Sequence, residues 1–81
     1  MSDDDNEPIT RERLDALPDT KRDAHDSVWV PLDKENDVFI VVGSYPGDRW
    51  IIRYLSRNSF VRFHKQFRTM GEIRKLIEAL T

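Results

Sequence analysis

The chain has 81 residues, 35% of them charged and 38% hydrophobic, with no cysteine and a formal net charge of −2. That length holds one small core, the longest apolar run (Val38 to Val42) falls far short of the ~20 residues of a membrane-spanning helix, and the lack of cysteine excludes disulfides and thiolate metal sites. The start, Met1-Ser2-Asp3-Asp4-Asp5, is acidic where a secretory signal is basic and then apolar, so a cytoplasmic location is expected.

Residues 1 to 8 are polar and acidic, end at Pro8, and read as a disordered, solubilising tail ahead of one small domain over 9 to 81. A short helix is expected over 10–17, with Thr10 as N-cap, Ile9 stapled onto Leu14, and Pro18 as its stop. Asp19 to Ser27 reads as a charged linker.

The period then changes from helical to alternating. Val28, Val30 and Leu32 predict a strand near 28–32, placed at a sheet edge by Pro31. The run VFIVV predicts a strand near 38–43 that is apolar on both faces. Tyr45-Pro46-Gly47-Asp48 has the residues of a type II turn. A strand near 49–56 follows, with Trp50, Ile52 and Tyr54 on one side and Arg49, Ile51, Arg53, Leu55 and Arg57 on the other. Arg57-Asn58-Ser59 turns the chain. The last strand is expected near 60–67, with Arg62 and His64 in one phase.

Thr69-Met70-Gly71-Glu72 has the spacing of a capping box. Met70, Ile73, Leu76, Ile77 and Leu80 follow at helical spacing and predict a helix over 70–80. The expected class is α+β: a short N-terminal helix, an antiparallel meander of three or four strands, and a C-terminal helix packed on one sheet face.

Charge is segregated along this order. Residues 1–37 hold twelve acids against five bases, net −7, and residues 38–81 hold eight bases against three acids, net +5, which together make −2. If Trp50, Ile52 and Tyr54 meet the C-terminal helix, the other face carries Arg49, Arg53 and Arg57, joined by Arg62, His64, Lys65 and Arg68. Bases two residues apart on a strand are about 6.6 Å apart and can reach successive phosphates. Phe60 adds a stacking surface. The same face carries Phe39, Val41, Ile51 and Leu55. The N-terminal helix covers them through Ile9, Leu14 and Leu17, a second copy covers them in a homodimer, or they form a protein interface.

The stretch Gly47 to Leu80 resembles the DNA-binding domains of plant ethylene-response factors and the arm-binding domains of integrases. The matching residues are Gly47 in the turn, Trp50 opening a strand, Phe67 closing the last strand, and Thr69 and Glu72 capping the helix. The resemblance implies that Arg49, Arg53 and Arg62 enter the major groove. It covers under half the chain, and Val38 to Val42 contains no base where those families carry arginines. The helix–meander–helix order also resembles double-stranded-RNA-binding domains, but Thr69 to Ile73 lacks their basic cluster.

Enzyme readings are weaker. His25 and His64 are not spaced as metal ligands, no phosphate-cradling loop or nucleophile elbow is present, and no cofactor is implied. A ribonuclease using His64 with Arg53, Arg62 and Lys65 rests on residue mix alone. The expected function is a small non-enzymatic regulator that binds DNA through its basic sheet face. The alternative is a protein-binding accessory or inhibitor module of the phage or mobile-element type, using Phe39, Val41, Ile51 and Leu55.

Overall fold

A computed structural model describes residues 6–45 and 49–81. In chain order its elements are α1 (Arg11–Asp15), β1 (Lys21–Arg22), β2 (Val28–Asp33), β3 (Val38–Tyr45), β4 (Arg49–Leu55), β5 (Phe60–Arg62) and α2 (Met70–Leu80). The strands form one antiparallel sheet in the order β1-β2-β3-β4-β5. This is the expected α+β meander, with five strands among the described residues where three or four were anticipated. The turn read at Pro46-Gly47-Asp48 lies outside the described residues.

The additional strand, β1, comes from the stretch read as a charged linker. Lys21 pairs with Trp29 and Arg22 with Val28. Asp23 makes this possible: its Oδ1 accepts the amides of His25 at 2.9 Å and Ser27 at 3.0 Å. These side-chain-to-amide bonds reinforce a turn that the backbone also closes, the Asp23 amide donating to the Ser27 carbonyl and the Asp26 amide to the Asp23 carbonyl, both at 3.1 Å. Only the first two residues of β2 have this outer neighbour. Pro31 therefore sits where β2 is an edge and its missing N–H costs no ladder bond. A bulge follows between Pro31 and Asp33.

The core lies on the sheet face selected by Val28, Val30, Ile40, Val42 and Ile52, all at most 3% exposed. Met70 and Ile73 of α2, Leu14 of α1, Ile9 and Phe67 close over it. The N-terminal helix thus packs into the same core as α2 and does not cover the second sheet face. It is shorter than the expected 10–17, although Thr10 caps it as expected: Thr10 Oγ1 accepts the Arg13 amide at 3.1 Å. Ahead of it, the Met70 amide donates to the Glu7 carbonyl (2.9 Å) and the Ile9 amide to the Arg68 carbonyl (3.3 Å). Glu7 and Pro8, assigned to the tail from sequence, are therefore tied to the start of α2.

The strand expected over 60–67 ends at Arg62. The Phe63 amide still donates to the Ile52 carbonyl at 3.0 Å, after which the chain leaves the sheet and touches it again at a Trp50–Phe67 bridge. That departure carries Phe67 into the core at 4% exposure and delivers Thr69 to the head of α2. The expected capping box is complete. Thr69 Oγ1 accepts the Glu72 amide at 3.3 Å, and Glu72 Oε1 accepts the Thr69 amide at 3.3 Å.

Candidate nucleic-acid interface

With α1 and α2 on one face, the opposite face of the sheet carries the alternate residues of each strand. Register places Trp29, Val41, Arg53 and Arg62 in one row across β2 to β5. Pro31, Phe39, Leu55 and Phe60 form the next row, and Gly43 and Ile51 lie on the other side. One end of the face is therefore apolar and the other basic.

Arg53 and Arg62 stand directly opposite each other. The Phe63–Ile52 bond lies one step along the ladder. Because hydrogen-bonded and non-hydrogen-bonded pairs alternate, Arg53 and Arg62 form a non-hydrogen-bonded pair, the closer kind, with Cα atoms about 4.5 Å apart. Like charges so placed destabilise a sheet by roughly 0.2–1 kcal/mol. Among the described residues, the ion pairs involve other bases, and no carboxylate stands within 4.0 Å of Arg49, Arg53 or Arg62.

Two adjoining hollows share Ile51 and Arg62. One is bounded by Arg49, His64, Lys65 and Gln66, and the other by Arg53, Phe60, Gly43 and His25. A Cβ at Gly43 would stand 3.2 Å from the Ser27 hydroxyl, so this wall of the second hollow suits glycine. Phe60 stands 61% exposed at its rim.

The structure does not gather all the expected bases on this face. Arg49, Arg53, Arg62 and His64 border the hollows. Arg57 lies past the end of β4, where it donates to Asp37 Oδ2 at 3.3 Å and lies against the Glu35 carbonyl. Lys65, although at the rim, is drawn towards α2: its Nζ is 3.0 Å from Glu72 Oε2 and 5.4 Å from the centre of the Phe67 ring. Arg68 sits at the head of α2 near Pro8 and Ile9, its amide bonded to Glu72. These three diversions are made by Asp37, by Glu72 and by the segment around Pro8, none of which belongs to the alternating pattern.

Of the apolar candidates, Phe39, Ile51 and Leu55 are half-buried on the face. Val41 is only 1% exposed, so it supports the face from within. Trp29 was not anticipated as a site residue. Its ring meets Phe39 edge-to-face at 5.7 Å, and its Nε1 donates to Asp23 Oδ2 at 2.9 Å. The signal was its place out of phase with Val28 and Val30.

No cluster of three or more His, Cys, Asp or Glu side chains able to hold a metal occurs among the described residues. No helix there is long and apolar enough to cross a membrane. No family model matches the chain, and neither a curated protein nor a solved structure is found similar to it.

Proposed function

We propose that this chain is a small non-enzymatic binding protein whose uncovered sheet face holds nucleic acid through phosphate contacts from Arg49, Arg53 and Arg62. The observation that carries this reading is the Arg53–Arg62 cross-strand pair. Two arginines occupy directly opposed strand positions, with no carboxylate of the described residues within 4.0 Å of either, on the sheet face opposite the two helices. A phosphate between them converts a local repulsion into two charge-assisted hydrogen bonds. The resemblance of Gly47 to Leu80 to sheet-based DNA readers points to the same three bases, Arg49, Arg53 and Arg62, although those domains bind a duplex and the phosphate contacts proposed here do not require one.

Three phosphate contacts predict a salt slope of about −2.1 to −2.7, or a roughly 20- to 40-fold loss of affinity between about 50 and 200 mM salt. Fluorescence anisotropy with a labelled random oligonucleotide tests this. Arg53→Ala and Arg62→Ala should each reduce the slope by about 1, while Arg57→Ala, already engaged by Asp37, should leave it unchanged. Binding that ignores salt, or that falls equally with Arg57→Ala, contradicts the reading.

A second reading is a protein-binding accessory module. The observation in its favour is the Phe39–Leu55–Phe60 row, which sets three apolar side chains across β3, β4 and β5 on the same face. Under it, Leu55→Asp abolishes partner binding or self-association and Arg62→Ala has little effect.

A further inference from the structure

We infer that the nucleic acid this face accepts is single-stranded, with an unpaired base stacked on Phe60; this rests on the phosphate-binding reading above and narrows it. Phe60 is the most exposed large hydrophobic residue among those described, at 61%. It projects from β5 on the same side as Arg62, two residues away, about 6.6 Å along the strand. It is also the diagonal neighbour of Arg53, at about 7–8 Å. An aromatic ring is therefore set one short step from a pair of phosphate-seeking guanidinium groups, the spacing at which one nucleotide reaches both.

The ring's exposure matters because stacking requires the face of a base. In a duplex both faces of each interior base are occupied by its neighbours, and an aromatic side chain lying on a sheet meets only groove edges and backbone. In a single strand the face is free, and base–aromatic stacking is indifferent to sequence. Gly43 and Ile51 line the hollow beside Phe60 and Arg53. Arg49 and His64 border the adjoining hollow and continue the basic track away from the Phe39–Leu55–Phe60 row.

The test is anisotropy on the full chain at about 50 mM salt, comparing a labelled oligothymidine of about 12 nucleotides with a labelled duplex of equal length. Wild type should prefer the single strand. Phe60→Ala, an exposed position whose loss does not threaten the core, should weaken single-strand binding by roughly 5- to 100-fold and leave duplex binding unchanged. Phe60→Tyr should restore it. Equal affinity for both forms, with Phe60→Ala without effect and Arg62→Ala weakening both, overturns the stacking inference and leaves the phosphate reading standing. Binding to neither form overturns both. If Phe60→Ala then converts a dimer to a monomer in sedimentation, the face belongs to a second copy of the chain.

Discussion

Asp23 holds Trp29 by a 2.9 Å hydrogen bond from the indole Nε1, with the same carboxylate closing the turn that brings β1 against β2. The indole donor, followed by the Ser27 amide, keeps the Asp23 carboxyl below the usual carboxylate range. Desolvation works against them, and the His25 amide adds to their effect. A carboxyl whose pKa is lower folded than unfolded contributes stability above its unfolded value, near 3.9, and loses it as pH falls towards the folded value. Asp23→Ala should therefore lower Tm by several degrees at neutral pH and flatten the acid limb below about pH 4. It should also shift Trp29 fluorescence. A variant with unchanged Tm and emission would mean the turn closes without Asp23.

Leu14 is fully buried although α1 is only five residues long. A helix so short has no stability of its own, so its order derives from Leu14 in the core, helped by the Thr10 cap and by Arg11 and Arg13 contacts to Asp26, Ser44, Pro8 and Glu7. Leu14→Ala should cost about 2–5 kcal/mol, lowering Tm by roughly 4–8 °C per kcal/mol in a domain of this size. Leu80→Ala, at 36% exposure, should cost far less. Comparable losses in thermal melts would place α1 outside the core.

At the head of α2, removing one half of the capping box with Thr69→Ala should cost about 0.5–2 kcal/mol. Burial pushes the Glu72 carboxyl up. That effect is outweighed by the Lys65 ammonium and the Arg68 and Thr69 amides, and the net direction is down. Its contribution is present above the unfolded carboxylate value and is lost as pH falls through the range below about 4.3. Lys65→Ala should remove part of that acid sensitivity, and denaturation followed from neutral pH to about pH 3 measures it. An unchanged pH profile would show that the amides alone hold Glu72 ionised.

The Arg53–Arg62 pair predicts opposite effects on stability and binding. Arg62→Thr places a β-branched residue on an exposed strand position and removes the like-charge neighbour. Without ligand it should stabilise the fold by roughly 0.2–1 kcal/mol at low salt, less at high salt. It should simultaneously weaken nucleic-acid binding. Such a trade marks a residue kept for function rather than for folding. A destabilised Arg62→Thr would mean that its guanidinium contributes to the sheet.

How far the sequence reveals this molecule depends on whether the signal is local. Thr69 and Glu72 are three residues apart, and Met70, Ile73 and Ile77 follow the helical period, so α2 and its cap were legible. Trp50, Ile52 and Tyr54 alternated as strictly, and their side of β4 was correctly assigned. Two-residue β1 has no period to read, and it depends on a carboxylate that meets an indole six positions away. Alternation over Phe60 to Phe67 suggested a longer strand because nothing local records the Phe67 ring turning into the core. The face of Arg49, Arg53 and Arg62 was readable from spacing. Their crowding was not, because it depends on the register between β4 and β5. Arg57 and Lys65 kept the same pattern but are claimed by Asp37 and Glu72, which lie 20 and 7 positions away.

The most direct test of the central claim is a two-dimensional amide NMR titration of the full chain with a short random oligonucleotide, at about 50 and 200 mM salt. Binding at this face should produce shifts clustered at Gly43, Ile51, Arg53, Phe60 and Arg62 that fade as salt rises, while Ile73 and the rest of α2 stay still. Shifts centred on α2, or none at low salt, would contradict it.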